Sequence, residues 1–403
     1  MLSFEQARQE VITQVSEHKS LTLTVEITLP DALGYVLARE VTADRDYPPF
    51  DRATRDGYAV LAADSIENAA LRCVGEIKAG DTVTTALAPG TCIQIMTGAA
   101  VPPGADAVVM IEHIQRTGDT IHFQRTATRG QNIVPRRSEA SNSQTLLQAG
   151  TRLGFAELGM AAQVGVTRLS CAKKPRIAIL STGDEIVPVD ATPGPFQIRN
   201  SNSVSLGAQV RIAGGEPVLL GNAADNIDDL RKNILRGLDE DALVLSGGVS
   251  MGKYDLVEGV LRDLKMEFYF DAVAIRPGKP AVFGICRGKP VFGLPGNPVS
   301  TMVTFELFVV PAIDLLSGAA PRPLPLLQAT LAEPAVEKPG MTHFLPAKVD
   351  WQSGKAMVRP LRWQGSGDTA TMAKANCFLV VAAETESLSA NESVNVLMRR
   401  DVV

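Results

Sequence analysis

Residues 246–250 place two glycines among hydroxyl-bearing residues directly after an apolar segment, a combination that suits the binding of a phosphate group. Glycine lets a ligand approach the main chain closely, and backbone amides before a helix form a cradle for anions. Lys253 and Asp255 follow, and each also has a structural explanation, on a solvated surface or as a helix cap. The stretch predicts a phosphate site made of Ser246, Gly247, Gly248, Val249 and Ser250.

A second apolar segment, residues 176–180, ends in a cluster of hydroxyl and carboxylate groups. The hydroxyl groups can donate hydrogen bonds to an oxyanion, and two adjacent carboxylates can hold a hard cation such as Mg²⁺. A loop with a helix cap at Asp184 is the structural alternative. We favour the functional interpretation, which makes candidate ligands of Ser181, Thr182, Gly183, Asp184 and Glu185.

A third segment, residues 290–294, runs into the turn Pro295-Gly296-Asn297-Pro298. Asn297 is a natural helix cap and Pro298 a natural first-turn residue, so the turn has a purely structural explanation. Its place at the end of a strand nevertheless makes it a candidate for ligand binding.

Weaker signals come from four other residues. Arg276 and Lys279 are separated by one turn, so both can face a single oxyanion, or both can lie on the surface. Asp56 and Thr97 each precede a glycine, which fits an ordinary tight turn equally well. None of these signals is specific by itself.

A parallel sheet would bring the three polar clusters together. Short, continuous apolar strands that end in small or polar residues and lead into helix patterns are typical of strands buried on both faces. In open parallel sheets, ligands bind outside the carboxyl ends of the strands. We therefore expect an α/β domain with the site along that edge.

The flanking sequence changes in character several times. A capping box of Ser3 and Gln6 predicts an N-terminal helix, and helical spacing returns before the α/β domain. Short β segments between turns predict a small β domain before it and another after it. The predicted borders between these regions lie after residues 45, 137, 174 and 320.

Composition excludes several classes of function. A net charge of −5 argues against nucleic acid as a partner. The five cysteines and four histidines match neither a disulfide framework nor a zinc site, which favours a reducing, cytoplasmic location. The start of the chain lacks a secretory pattern, and the apolar run 305–316 is too short to cross a bilayer, so we expect no membrane partner. Residue types alone thus predict an α/β domain that binds a phosphate ester or anhydride with Mg²⁺.

Six motifs in order resemble the molybdopterin molybdenumtransferase family, which includes MoeA and the E domain of gephyrin. The resemblance implies a multidomain α/β fold, in which a β domain is inserted into a discontinuous, mostly helical domain. A three-layer α/β domain like that of molybdopterin adenylyltransferase and a C-terminal β barrel follow. The motifs are DGYAV (56–60), IMTGAAVP (95–102), STGDEI (181–186), SGGVSMGKYD (246–255), PGKPAVFG (277–284) and GLPGNPVS (293–300).

The family resemblance also implies a reaction. Molybdate is inserted into adenylylated molybdopterin, and Mg²⁺-dependent cleavage of the phosphoanhydride releases AMP. The implied catalytic residues are Asp56, Glu185, Asp225, Asp255 and Lys279, with Glu185, Asp225 and Asp255 as metal ligands. The implied substrate-binding residues are Thr97, Gly98, Ser181, Thr182, Gly183, Asp184, Asn202, Ser246, Gly247, Gly248, Val249, Ser250, Arg276, Pro277, Pro295, Asn297 and Pro298.

The resemblance implies a homodimer whose active cleft is shared between subunits, and leaves open a handover of substrate from molybdopterin adenylyltransferase. The alternatives are an adenylyltransferase acting on molybdopterin, or a pterin-binding scaffold without catalysis. The chain departs from the family pattern at several positions, which concern the orientation of substrate rather than the reaction class. They are Arg52, Arg55, Ser138-Glu139-Ala140, Arg276 and Met341-Thr342-His343.

Overall fold

The computed structural model describes residues 1–19, 22–248 and 256–402. Its first helix, α1 (Phe4–His18), begins with the expected capping box, which is confirmed. The Ser3 hydroxyl accepts a hydrogen bond from the Gln6 amide at 3.2 Å, and the Gln6 side chain accepts one from the Ser3 amide at 3.0 Å. The buried face of α1 packs against the central α/β region rather than against its own neighbours in sequence.

The chain leaves the N-terminal region early and returns to it about a hundred residues later. Strand β1 (Thr24–Thr28) pairs antiparallel with β12 (Arg168–Ala172), and β2 (Val41–Thr42) pairs with β11 (Thr145–Leu147). Helix α2 (Phe155–Gln163) packs on this small unit, whose core contains Leu37, Leu153 and Cys171.

The segment of the chain between β2 and β11 forms a six-stranded sheet. Its order is β7-β4-β6-β5-β9-β8, and a two-stranded ribbon of β3 (Arg52–Ala53) and β10 (Ile133–Val134) adjoins it. Alternating side chains such as Tyr58 and Phe123 are fully buried. The strands are β4 (Gly57–Val60), β5 (Ala70–Ile77), β6 (Thr91–Ile95), β7 (Ala107–Met110), β8 (Ile114–Thr117) and β9 (Thr120–Phe123).

The central sheet has the order β16-β13-β17-β21-β20-β18. Its first four strands are mutually parallel, but β20 pairs antiparallel with both β21 and β18, so the expected parallel sheet holds for only part of it. The reason is a tight hairpin at Arg287 and Gly288, which both have positive φ. The strands are β13 (Arg176–Thr182), β16 (Glu216–Ala223), β17 (Ala242–Ser246), β18 (Glu267–Phe270), β20 (Val282–Cys286) and β21 (Lys289–Leu294), and a separate parallel pair is formed by β14 (Ile186–Val187) and β15 (Ile198–Arg199).

Helices cover both faces of this sheet and give three layers. One apolar core joins the sheet to α1, α3 (Ser201–Ala213), α6 (Pro298–Thr304) and α7 (Val310–Leu316). A second core joins the other face to α4 (Ile227–Leu238) and α5 (Leu256–Asp263). Burial on both faces explains why the strand sequences are continuously apolar.

Helices α6 and α7 form one helix, joined by a π-helical turn at Phe305–Val309. Pro311 has no amide hydrogen, so the Leu307 carbonyl four residues earlier loses its usual donor. Arg8 supplies the replacement, with its Nη1 atom 2.8 Å from that carbonyl oxygen. A side chain of α1 therefore stabilises the irregular turn.

The helix Pro298–Leu316 is, among the described residues, long and apolar enough to cross a membrane, but 89% of it is buried inside the protein. The expectation that this apolar run is too short was wrong, because the helix begins at Pro298 and has 19 residues. Its burial in the core is the property of a central helix of a globular domain.

The C-terminal region forms a closed five-stranded barrel, because β24 pairs with both β25 and β26. The short strand β19 (Ile275–Arg276) of the central region extends this sheet by pairing with β24. The multidomain α/β fold is thus confirmed, whereas the exact domain borders stay predictions. The barrel strands are β22 (Leu326–Leu331), β24 (Thr342–Gln352), β25 (Lys355–Pro360), β26 (Cys377–Val381) and β28 (Ser393–Met398), accompanied by α8 (Thr369–Lys374) and the ribbon of β23 (Ala335–Val336) and β27 (Ser387–Leu388).

Candidate active site

The carboxyl ends of the four parallel strands open into a cavity of about 620 Å³. Loops after β13, β16, β17 and β21 line it, together with the first turn of α3. The sequence-predicted residues that line it are Ser181, Thr182, Gly183, Glu185, Asn202, Asp225, Ser246, Gly247, Gly248, Pro295, Asn297 and Pro298.

Gly247 and Gly248 form a backbone surface on one side of the cavity. Their φ angles are 95° and 62°, in the left-handed region. A Cβ atom at Gly247 would lie 2.8 Å from the Thr182 carbonyl oxygen, and one at Gly248 would lie 2.7 Å from the Thr182 hydroxyl. Only glycine fits both positions, so the main chain itself lines this side of the cavity.

Thr182 stands directly beside this glycine pair. Its side chain is 3% exposed, and its Oγ1 atom has no hydrogen-bond partner in the part of the chain that the structure describes. Buried hydroxyl groups are normally satisfied. The Thr182 hydroxyl is therefore a donor or acceptor available to a bound ligand.

An acidic wall faces the glycines. Gly183 has a φ of 132°, and the Glu185 carboxylate folds back over it, 2.5 Å from where a Cβ atom would stand. Asp184 accepts a hydrogen bond from the Asp225 amide at 3.0 Å, which ties the loop after β13 to the loop after β16. The helix cap considered for Asp184 was wrong, because strand β14 follows at Ile186.

Negative charge accumulates at Asp225. Loss of hydration raises the pKa of this carboxyl group, and the charge of Asp184, followed by that of Glu185, raises it further. A bound cation would relieve this repulsion, and carboxylate oxygens are ligands that Mg²⁺ prefers. No group of three His, Cys, Asp or Glu side chains forms a metal cluster within the described residues.

The turn after β21 holds the opposite edge of the cavity. Asn297 occupies the N-cap position of α6 and Pro298 its first turn, as expected, but the Asn297 side chain makes no capping hydrogen bond. The Val299 amide instead donates to the Ser366 carbonyl at 2.9 Å, so the barrel region satisfies that amide in the first turn of α6. The Asn297 side chain is thereby left exposed at the cavity.

Residues at the start of α3 form hydrogen bonds with the ends of three strands, β13, β17 and β21. Asn200 caps α3 through the Ser203 amide at 3.0 Å and accepts a hydrogen bond from the Ser181 hydroxyl at 3.0 Å. Asn202 donates to the Ser246 hydroxyl and to the Gly296 carbonyl, each at 2.8 Å.

Several lining residues were missed by sequence reasoning. Gly367 and Thr369 come from the barrel region, well after the turn 295–298 in the chain. The stretch 364–369, which is rich in glycine and hydroxyl-bearing residues, is the sequence signal that could have indicated a ligand-binding loop there. The other missed lining residues are Ile186, Ile198, Arg199, Asn200, Ser201, Pro280 and Gly296.

Asp56, Thr97 and Gly98 lie in the β domain and do not line the cavity. The Asp56 Oδ1 atom accepts hydrogen bonds from the Thr97 amide at 2.7 Å and from the Thr97 hydroxyl at 2.8 Å. These bonds hold the pKa of Asp56 below its usual value. The pair therefore presents an ionised carboxylate away from the cleft of its own chain.

Arg276, Pro277 and Lys279 lie beside the cleft rather than in its lining. Arg276 sits in β19, in register with His343 of the barrel, and its side chain is exposed, as is that of Lys279. Pro277 is buried, and only Pro280 of this segment lines the cavity. Asp184 also stands outside the lining, while Val249, Ser250, Lys253 and Asp255 lie outside the described residues.

Two of the departures from the family pattern contact each other. Arg52 donates to the Glu139 carboxylate at 3.0 Å across the junction between the β domain and the N-terminal region. His343 is buried in the barrel, with Nδ1 2.9 Å from a Glu337 carboxylate oxygen. Arg52 is thus held by Glu139 in the structure.

Family models match the chain in three consecutive segments. The MoeA N-terminal region (domain I and II) matches residues 2–165, a probable molybdopterin binding domain matches 178–315, and the MoeA C-terminal region (domain IV) matches 328–398. A molybdopterin molybdenumtransferase of Bacillus subtilis (strain 168) is 32% identical, over 97% of this chain and 94% of that protein.

The chain belongs to the MoeA family. A molybdopterin molybdenumtransferase of Staphylococcus aureus (strain MRSA252) is 28% identical, over 97% of this chain and 94% of its own length. Among solved structures, a MoeA protein of Pyrococcus horikoshii OT3 has a TM-score of 0.81 and 27% identity, and covers 99% of this chain and 100% of its own. A second crystal structure of a MoeA protein from the same organism has a TM-score of 0.74 and 31% identity, and covers 97% and 98%. The cavity described above therefore lies in the α/β region of a MoeA fold.

Proposed function

We propose that this MoeA family member is a molybdopterin molybdenumtransferase. It inserts molybdate into adenylylated molybdopterin, and the phosphoanhydride is cleaved with release of AMP. Curated relatives named for this activity match the chain over almost its whole length. The observation that carries the proposal is the juxtaposition, at one strand edge, of an exposed glycine main chain with a wall of carboxylates.

The glycine side of the cavity binds the phosphate groups of the substrate. The amide of Gly248 and the hydroxyl groups of Thr182 and Ser246 supply donors in a fixed arrangement. Preorganised donors of this kind stabilise charge that develops during cleavage of an anhydride without having to reorganise. Positioning and charge neutralisation carry most of the catalysis in phosphoryl chemistry.

The acidic wall fits a magnesium ion, and its donors are hard oxygen atoms. Glu185 and Asp225 would hold the ion, with Asp255 as the family's third candidate ligand. When bound, Mg²⁺ neutralises phosphate charge and polarises the anhydride. The raised pKa of Asp225 supports this assignment, because it reports a local excess of negative charge.

The part of the cavity that binds molybdate lies at the turn after β21. The exposed Asn297 side chain and the rigid Pro295 and Pro298 form that edge of the cavity. Arg276 and Lys279, on the segment that reaches the cavity at Pro280, add positive charge for an oxyanion.

We also propose that a second copy of the chain completes the cleft. The family's Asp56 and Thr97 are intact, yet they point to no part of the cavity in their own chain. A homodimer that brings the β domain of one subunit to the strand ends of the other would use them. The five free cysteines, four of them buried, support a reducing and therefore cytoplasmic location.

The test of function is release of AMP from adenylylated molybdopterin by the purified protein. We expect release that requires both molybdate and Mg²⁺, and that Glu185→Gln lowers kcat about a hundredfold. The Glu333→Gln variant, which changes an exposed carboxylate of the barrel, is the matched control and should retain full activity. Formation of adenylylated molybdopterin from ATP would favour an adenylyltransferase, and binding without turnover would favour a scaffold.

A further inference from the structure

The loops after β17 and β21 meet with hardly any side chain between them. Gly247 donates its amide to the Leu294 carbonyl at 3.1 Å, and a Cβ atom at Gly296 would lie 3.5 Å from the Gly247 Cα atom. The Gly247 bond continues the parallel pairing of β17 with β21, and beyond it the contact between the two loops is one between glycine backbones.

Asn202 is the side chain that joins them. One carboxamide nitrogen, Nδ2, lies 2.8 Å from the Ser246 hydroxyl and 2.8 Å from the Gly296 carbonyl oxygen. A carboxamide nitrogen has two hydrogens, so both are used. Because a carbonyl oxygen can only accept, the contact with Gly296 also fixes which end of the amide is the nitrogen.

The helix turn that carries Asn202 is held in place by other hydrogen bonds. Asn202 lies one residue inside α3, whose N-cap Asn200 is itself bonded to Ser181 at the end of β13. On the far side, the fully buried Thr301 hydroxyl donates to the Pro295 carbonyl and holds the start of the same turn. The turn 295–297 is thus bound from α3 and from α6 at once.

We infer that Asn202 is a positioning residue, which holds the phosphate-binding glycine loop and the molybdate-side turn in register, rather than a residue that binds substrate through its amide group. This inference rests on the proposed function. Both amide hydrogens are engaged within the protein, and the buried Oδ1 atom, which has no partner among the described groups, can accept a hydrogen bond but cannot donate one to a phosphate oxygen.

The test compares Asn202→Ala and Asn202→Asp with Ser203→Ala in the full-length protein. Ser203 lies in the same turn of α3 but outside the cavity lining, and its hydroxyl bonds only to the Asn200 carbonyl among the contacts described, at 3.2 Å. We expect AMP affinity, measured by calorimetry, to fall about tenfold in Asn202→Ala and further in Asn202→Asp, where a carboxylate faces the Gly296 carbonyl. Ser203→Ala should stay within about twofold of wild type.

Two further readouts separate positioning from general stability. In Asn202→Asp, affinity should recover partly as the pH falls through the pKa of the introduced carboxyl, because the neutral acid regains one donor, whereas Asn202→Ala should show no such recovery. With substrate, kcat should fall more than KM rises, since misaligned loops still bind but react poorly. The Asn202→Ala comparison stands alone if the charged variant does not fold.

Wild-type AMP affinity in both Asn202 variants, with normal kcat, would overturn the inference while leaving the proposed function intact. Failure of the wild-type protein to bind or release AMP would instead overturn the proposed function.

Discussion

At the scale of single residues, Thr182 stands out because its buried hydroxyl lies at the candidate active site. Its hydroxyl is buried beside the glycine pair and has no partner among the described groups. An unsatisfied buried hydroxyl destabilises a protein by about 1 to 3 kcal/mol. We infer that the fold tolerates this cost because the hydroxyl is used when substrate binds.

Thr182→Val tests that idea, because valine has nearly the same shape without the hydroxyl. We expect the free energy of unfolding to rise by about 1 kcal/mol, while kcat/KM for AMP release falls about tenfold. Thr304→Val is the matched control, since the Thr304 hydroxyl is satisfied by the Ser300 carbonyl at 2.8 Å. That control should lose stability and keep its activity. A Thr182→Val enzyme with full activity would contradict the role of the hydroxyl.

Asp225 gives a prediction about pH. Its folded-state pKa lies above its ordinary value, so the protonated form is favoured in the folded protein, and this contribution to stability is lost as the pH rises through the raised pKa. Mg²⁺ needs the ionised form. We therefore expect the rise in Tm caused by Mg²⁺ to shrink as the pH falls toward that pKa.

The Asp225→Asn variant provides the check. It should have a higher Tm than wild type at neutral pH without metal, because it removes repulsion from Asp184 and Glu185, and it should respond less to Mg²⁺ at every pH. An equal Mg²⁺ response in both proteins, measured by thermal unfolding, would rule out Asp225 as a ligand.

Some of these residues were predictable and others were not. Thr182, Gly247 and Gly248 follow from local signals, because polar and glycine residues at strand ends meet at one sheet edge. The first turn of α6 shows the limit, because Asn297 is its N-cap residue but makes no capping hydrogen bond. A carbonyl of Ser366, distant in sequence, satisfies an amide of that helix turn, and no local pattern records such a partner.

At the scale of elements, the buried Asp314 in α7 fastens the central helix to two other segments. Its carboxylate lies 2.9 Å from Arg152 Nη2 and 2.9 Å from Arg322 Nε, and it also accepts a hydrogen bond from the Arg322 amide. The aspartate side chain is 0% exposed. Removing it would leave two partly buried cations without their partner.

Asp314→Asn should therefore lower the free energy of unfolding by about 3 kcal/mol, measured by urea denaturation. The exposed pair of Glu333 and Arg359 offers the comparison, because breaking it with Glu333→Gln should cost less than about 1 kcal/mol. Equal effects of the two substitutions would show that the buried ion pairs of Asp314 stabilise the protein no more than an exposed pair does.

Element type was more predictable than element direction. The capping box of Ser3 and Gln6 and the apolar strands of the central sheet were recognised from spacing alone. The antiparallel direction of β20 was missed, because it depends on a two-residue turn at Arg287 and Gly288 that the strand pattern does not reveal. Pairing of β19 with the barrel likewise depends on tertiary contacts.

At the scale of the whole molecule, the position of Asp56 raises the question of how many chains form one cleft. Mixed dimers answer it. Asp56→Ala and Glu185→Ala should each be inactive alone, whereas random mixing of the two should restore about a quarter of wild-type activity, since half the dimers would hold one intact cleft of two. Mixtures that stay inactive, although subunit exchange is verified, would reject the shared cleft.

The overall architecture followed from the sequence mainly through the resemblance of six motifs, whereas residue patterns alone reached only an α/β domain with a phosphate site. The gap has a physical cause. Patterns report burial along one segment, but the contribution of Gly367 and Thr369 to the cavity depends on how the barrel packs against α6.

We propose that cleavage of the anhydride at the glycine and carboxylate edge is coupled to entry of molybdenum into the pterin. The most direct measurement counts both products in a single reaction with adenylylated molybdopterin, molybdate and Mg²⁺. We predict AMP and molybdenum-bearing pterin in equal molar amounts, with both lost together in Glu185→Gln. Release of AMP without incorporation of molybdenum, or incorporation without AMP, would contradict the account.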